Sequence, residues 1–218
     1  MKVTFWGVRG SIPTPLTEGD VKEKMYRLLS LINSSDDTST VEGRDKVLER
    51  FTESEPLLIG GNTSCIEVQA DDKTLIFDMG SGIRRLGNHI AEDSKRGREI
   101  HIFLSHTHWD HINGFPFFLP AYLPDYKLHF YSIHPGLKEK LEIQQDPRFF
   151  PVKLEQMSST KEFFQLKEDC ELMVGDILIK NKQLFHPGNS YGYSVNVNGK
   201  KFVFATDSEY KVNSTEIM

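Results

Sequence analysis

The sequence predicts an α/β layered sandwich, in which sheets pack on one another and helices lie outside. Three observations carry this expectation. Short β-rich runs recur along most of the chain in meander order, helical periodicity is confined to a few stretches, and several apolar runs stop on histidine or aspartate. With 218 residues, 38% hydrophobic and 26% charged, one globular domain with a substantial core is the default, and broad disorder is excluded.

Lys2–Gly7 (KVTFWG) alternates and is rich in β-formers, so the chain opens on a strand. Arg9-Gly10-Ser11-Ile12-Pro13 then makes a turn. Val21, Met25, Leu28, Leu29 and Ile32 recur at helical spacing. Val41, Val47, Leu48 and Phe51 mark a second helix, with Ser39 and Glu42 spaced as its capping box. The polar run 33–40 between them reads as an exposed loop, so residues 17–56 form a helical insertion in the single domain.

Past Gly60-Gly61-Asn62, strands are expected at 65–69 and 74–77, joined by an Asp71-Asp72 turn. A helix over Ile83–Glu92 follows the stretch Asp78-Met79-Gly80-Ser81-Gly82. The apolar run 100–104 (IHIFL) predicts a buried strand that ends on Ser105-His106-Thr107-His108-Trp109-Asp110-His111, with a helix starting near His111. Further strands are expected at 127–131, 163–166, 171–173, 177–185, 193–197 and 201–205, the last two joined by an Asn198-Gly199 hairpin turn.

Lys and Arg number 26 against 31 Asp and Glu, a net charge of −5. That balance opposes capture of a long nucleic acid, whereas a small anionic substrate is compatible because a metal pair supplies local positive charge. The chain shows neither a secretory signal nor an apolar run long enough to span a bilayer, so a cytoplasmic protein without a membrane partner is expected. Cys65 and Cys170 read as two core thiols in strands, with a disulfide left open.

His106-x-His108-x-Asp110-His111 carries the chemistry. On an extended strand end, residues two apart point the same way, so His106 and His108 can grip one ion. The turn into a helix then swings Asp110 and His111 towards a second position. Imidazole and carboxylate without thiolate suit zinc, with manganese and iron as alternatives, in an open and therefore catalytic site. Four such residues in six, directly after a buried strand, outweigh a chance cluster of surface histidines. His186 and Asp207 also lie where strands run out. His186 alone would read as structural, but beside the first cluster it becomes a ligand candidate. A carboxylate such as Asp207 can bridge two ions about 3.5–4 Å apart.

On these residues the chain resembles the metallo-β-lactamase fold hydrolases, whose signature is H-x-H-x-D-H followed by a distant histidine, a distant aspartate and a final histidine. The likeness covers nearly the whole chain. It points to the phosphodiesterase branch with the PhnP-like cyclic phosphate phosphodiesterases and tRNase Z, on Arg9-Gly10-Ser11-Ile12-Pro13, Gly60-Gly61-Asn62-Thr63-Ser64, Phe77-Asp78-Met79-Gly80-Ser81-Gly82, and His186 with Ser190-Tyr191-Gly192-Tyr193. The resemblance implies an αββα sandwich with two divalent metal ions. His106, His108 and His186 would hold the first, Asp110 and His111 the second, and Asp207 would bridge, so that Asp110 and Asp207 are the catalytic carboxylates. Asp78 would orient ligands without binding metal, a role that also suits the need of ligating imidazoles for a carboxylate partner; an ordinary aspartate in a Gly-rich turn is the rival reading. One departure stands out. Residues 208–218 contain no histidine, so the final ligand has no counterpart, and the last strand and helix of the usual domain are expected to be lacking. That implies a shortened chain, a site completed by a partner chain, or a weakly held second ion.

The expected reaction is in-line attack of a metal-bridging hydroxide on a small or cyclic nucleotide-like phosphodiester, helped by the N-terminal end of the helix near His111. Arg9, Asn62, Ser190 and Tyr191 are candidate substrate contacts, though Arg9 reads equally as a surface turn residue and Tyr191 as a packing residue. Phe115, Phe117 and Phe118 could wall the metals for base stacking, but plain burial is the stronger reading. The rivals are a thioester or lactone hydrolase of the same fold and a metal-binding module without activity. A role in tRNA processing ranks lower on charge, and a homo-oligomer is compatible.

Overall fold

A computed structural model of the protein describes residues 1–54 and 60–209. Strands β1 (Lys2–Gly7), β2 (Cys65–Ala70), β3 (Lys73–Phe77), β4 (Glu99–Leu104), β5 (Lys127–Ser132) and β6 (Thr160–Gln165) form one sheet in that order. β1, β2 and β3 are antiparallel, whereas β3 through β6 run parallel. A second sheet is the antiparallel meander of β7 (Glu171–Val174), β8 (Ile177–Leu184), β9 (Ser190–Val197) and β10 (Lys200–Phe204). The helices are α1 (Glu18–Ser30), α2 (Val41–Ser54), α3 (Ile83–Glu92), α4 (Trp109–Ile112) and α5 (Leu137–Gln144).

The period of two along each strand sorts the core into two clusters. Ile76, Ile100, Ile102, Leu104, Leu128 and Phe130 pack with Ile83, Leu86 and Ile90 of α3 and with Leu137 and Leu141 of α5. Leu75, Phe77, Phe103 and Tyr131 point the other way, onto Ile177, Ile179, Tyr193 and Val195 of the second sheet. A sheet apolar on both faces must be covered on both, which is why β3 to β5 carry near-continuous hydrophobic runs. The layers are therefore helix, sheet and sheet. No helix follows β6 among the described residues, and none of those described is long and apolar enough to cross a membrane.

Contacts divide the chain into two compact units, residues 1–13 with 62–218 and Thr14–Gly61. Within the second, α1 is capped by Thr17 and Asp20 in a reciprocal box, and Arg50 makes two bonds to the Asp36 carboxylate, at 2.8 and 2.6 Å. α2 buries Val47 and Phe51, whereas Val21, Met25 and Leu29 of α1 are exposed rather than sheltered. The expected end of this insertion, at 55–56, lies outside the described residues.

Several local expectations need correction. The cap of α2 is Thr40, whose Oγ1 accepts from Gly43 N at 3.1 Å; Ser39 sits one residue too early and donates to Asp37 instead. The helix expected near His111 begins at Trp109 and lasts one turn before the 3-10 segments Phe115–Phe117 and Leu119–Tyr122. So short a helix has little dipole to offer an anion. α5 has a weak sequence signature, a single buried pair one turn apart, Leu137 and Leu141. Cys65 is buried in β2, but Cys170 is half-buried and precedes β7 rather than lying in a strand, and both thiols are free.

Candidate metal centre

Three strands deliver candidate ligands, β4 into His106 and His108, β8 into His186 and β10 into Asp207, and β3 runs into Asp78, which supports them. The β8 and β10 exits are tied together by Glu209 N donating to Phe185 O at 2.6 Å, and β9 joins β4 through Tyr191 N to Ser105 O at 3.1 Å. Two glycines let the loops meet. A Cβ at Gly80 would fall 2.4 Å from Asp110 O and 2.6 Å from Ser64 O, and one at Gly114 only 2.1 Å from Gly80 O. Backbone bonds from Met79 N to His111 O (2.7 Å) and from Gly114 N to Met79 O (2.9 Å) then lock α4 against the 78–82 loop.

The arrangement brings together all six residues singled out in the sequence. His106 Nε2 lies 2.9 Å from His108 Nδ1, and His186 Nε2 lies 3.3 Å from the same atom. Asp207 Oδ2 is 3.9 Å from His106 Nε2, 3.8 Å from His186 Nε2 and 3.4 Å from His111 Nε2, which is itself 3.4 Å from Asp110 Oδ2. Two overlapping donor sets result: His106, His108, His186 and Asp207, and Asp110, His111 and Asp207, with atoms in each within 4.8 Å of one another.

Asp78 organises the second set. It is fully buried, adopts a left-handed φ of 62° that aspartate tolerates better than most residues, and accepts from Ser105 N (2.8 Å), Ser105 Oγ (2.9 Å) and Ser64 Oγ (3.1 Å). Its Oδ2 also lies 2.6 Å from His111 Nδ1. A proton on that nitrogen leaves Nε2 as a lone pair directed at the other carboxylates. Ser11, whose backbone N donates to Asp110 Oδ2 at 2.7 Å, lies with Ser64 and Ser105 inside the sequence motifs, which assign none of the three a role. Only the position of Ser105 beside His106 hinted at its role.

These residues fit divalent cations. His111 Nε2 is buried without a hydrogen-bond partner, facing two carboxylate oxygens. Burial opposes charging of His111, yet Asp78, joined by Asp110 and Asp207, pushes it up to about 9, so this corner demands positive charge. Burial, reinforced by the neighbouring His111, holds His106 down to about 4, which keeps it a neutral donor. Donors around one tetrahedral zinc stand roughly 3.3 Å apart. The observed 2.9, 3.3, 3.8 and 3.9 Å bracket that spacing.

The candidate substrate contacts fare unevenly. Arg9 is exposed and lines a cleft of about 300 Å³ with Gly10, His111 and Asp207. Asn62 is tied into the loop, its Oδ1 accepting from Ser81 Oγ at 3.1 Å. Ser190 is buried with its Oγ unpartnered. Tyr191 is buried between the sheets and donates its hydroxyl to Glu168 at 2.5 Å, so it packs rather than faces the cleft.

The sequence profile of the beta-lactamase superfamily domain matches residues 74–216. Among solved structures, the short form of human tRNase Z aligns over 98% of this chain and 71% of its own, at 17% identity and a TM-score of 0.59. The metallo-beta-lactamase fold protein YhfI from Bacillus subtilis aligns over 69% of this chain at 22% identity and a TM-score of 0.51. A diphosphatase of the PhnP family aligns over 62% of this chain, at 18% identity and a TM-score of 0.46. The aligned part spans 56% of the Bacillus protein and 48% of the diphosphatase. At such identities the likeness to the tRNase Z and to the Bacillus protein is one of fold. A search among curated protein sequences found no match.

Proposed function

Because the chain belongs to the beta-lactamase superfamily, we propose that it is a metal-dependent hydrolase acting on a small, cyclic nucleotide-like phosphodiester. One observation carries the reading: nitrogen and carboxylate donors from three strand ends and from α4 converge around Asp207 Oδ2, with His111 Nε2 buried among carboxylates and lacking a partner. His106, His108 and His186 would hold one divalent ion and Asp110 and His111 another, with Asp207 shared; the donor types favour zinc, then manganese or iron. Such ions, when bound, supply Lewis acidity at a phosphoryl oxygen and a water acidic enough to serve as nucleophile near neutral pH.

The chain's own groups do the rest. Asp78 fixes the His111 tautomer, Ser11 N holds the Asp110 carboxylate, and Arg9 at the cleft wall offers a guanidinium to a phosphate oxygen. The net charge of −5 favours a small substrate over a long nucleic acid. Two free cysteines suit a reducing compartment such as the cytoplasm.

The test is metal analysis of the purified protein beside turnover of bis-p-nitrophenyl phosphate, a cyclic nucleotide, a lactone and a thioester. The expected result is about two ions per chain and preferential phosphodiester turnover that His108→Ala abolishes. Faster turnover of the lactone or thioester would assign the same centre to carbonyl chemistry. Full metal content with no turnover of any of the four would mark a binding module.

A further inference from the structure

The face of β4 and β5 that meets the second sheet carries Phe103 and Tyr131, and one step back along both strands stand His101 and His129. The two histidines are register partners, each 6% exposed, with rings stacked at 4.7 Å and 10° apart. Where the period of two calls for apolar side chains, buried imidazoles forgo hydrophobic burial and need polar partners. His101 precedes His106 by five residues, about 16 Å of strand, so this pair is separate from the donors at the strand ends.

The partners present are those of a metal site. His101 Nδ1 meets the Tyr131 hydroxyl at 3.2 Å, while its Nε2 is buried with no hydrogen-bond partner. His129 lies between two carboxylates, with Nε2 2.7 Å from Glu99 Oε1 and Nδ1 3.1 Å from Glu162 Oε2. A ligating imidazole engages one nitrogen with an outer partner and offers the other to the ion. Tyr131 and Glu162 serve as such partners, which leaves both Nε2 atoms and Glu99 Oε1 as donors. One donor atom from each of Glu99, His101 and His129 lies within 4.8 Å of the other two. Histidine χ2 is a broad torsion, so small ring rotations bring that spacing towards the roughly 3.3 Å of donors around one zinc. Burial, and then His129, holds His101 down to about 4, which keeps it a neutral donor.

The donor set also selects the occupant. Two nitrogens and a carboxylate without thiolate favour a borderline divalent ion such as zinc over calcium or magnesium, which take oxygen ligands. The Glu99 and Glu162 side chains are 44% and 40% exposed, so the carboxylate side is open for entry above the buried imidazoles. Lys73, 3.6 Å from Glu99 Oε2, and Lys127, 2.8 Å from Glu162 Oε1, engage the other carboxylate oxygens and oppose a further cation. This ion is therefore held more weakly than those at the strand ends.

We propose that Glu99, His101 and His129 form a further metal site, taking one zinc-class divalent ion that ties β4 to β5, with Tyr131 and Glu162 as outer supports. The full chain, stripped with chelator and titrated with zinc in a calorimeter, is expected to take up one ion beyond those of the strand-end donors and to lose it first on dialysis. Calcium should not occupy the site. Glu99→Gln should weaken this ion by at least the about 10-fold that loss of even a supporting group costs. The strand-end ions should stay within about twofold, because distant sites act independently. His101→Phe should abolish the added ion, and a His108→Ala, Asp207→Ala double variant should keep it. The proposal is overturned if no ion beyond the strand-end ones binds in excess zinc, or if Glu99→Gln and His101→Phe proteins with native circular dichroism take up zinc as the wild type does. Uptake of one ion that Glu99→Gln displaces and His108→Ala does not would uphold this site and remove the strand-end one.

Discussion

Replacing Asp78 with asparagine changes one atom in the most densely bonded carboxylate of the centre. Asparagine keeps the volume and tolerates the left-handed φ of 62°, so the backbone has no reason to move. Its Oδ1 can still accept from Ser105 N, and the hydroxyl of Ser64 or of Ser105 can rotate to accept one N–H of the new amide. His111 Nδ1, 2.6 Å away, has no such freedom: faced by an N–H, it must lose its proton to Nε2. That proton then points at Asp110 and Asp207, each 3.4 Å distant, where a cation is expected. Loss of a carboxylate behind a ligating imidazole costs about 10–100-fold in metal affinity, or roughly 1.4–2.8 kcal/mol. Stability without metal should fall by about 1–3 kcal/mol as the charge-assisted bonds weaken. Competition against a chromophoric zinc chelator measures the first quantity, and thermal melts of the chelated protein the second. An Asp78→Asn protein with native circular dichroism and wild-type zinc affinity would refute the assigned role.

Three further outcomes follow from the packing and charge. Gly114→Ala puts a methyl 2.1 Å from Gly80 O, so α4 must shift; about 1–3 kcal/mol should be lost in denaturant melts together with metal affinity, and a fully stable variant would contradict the close approach. Phe103→Ala empties a position stacked on Tyr131 at 4.6 Å and Phe77 at 5.4 Å, and should cost about 3–5 kcal/mol by the same measurement. His101 is held down to about 4 by burial and then by His129, with Lys73 and Lys127 acting in the same sense and Glu99 opposing them. Its folded pKa lies below the unfolded 6.5, so the neutral form is the stabilising one: stability is full above about pH 6.5 and falls by up to about 3 kcal/mol as pH drops towards 4. Compared with His101→Phe in chelator, the wild-type curve should steepen across that window; parallel curves would rule the linkage out.

Local pattern made much of this molecule readable. Alternation placed β1 at Lys2–Gly7, the apolar run before His106 marked a buried strand, and the helix expected at Ile83–Glu92 is α3. Signals spread over fewer residues were weaker. α5 rests on one Leu137 and Leu141 pair, and the α2 cap depended on a one-residue choice between Ser39 and Thr40. Ser11, Ser64 and Ser105 stand inside recognisable motifs, but their individual roles are contacts to Asp110 and Asp78, residues that only the fold brings beside them.

The sequence alone determined the donor chemistry, since imidazoles and carboxylates at strand exits are set by residue type and by periods of two and 3.6. Tertiary structure alone decided which of them meet. His186 and Asp207 join His106 because β8 and β10 end at the same edge, and Asp78 reaches His111 because β3 lies beside β4. It also decided which aromatic rings face water, leaving Trp109 and Phe149 bare while Phe115 and Phe118 fill the core. Periodicity is a property of neighbours along the chain, whereas convergence and exposure depend on segments that only the packed sheets bring together.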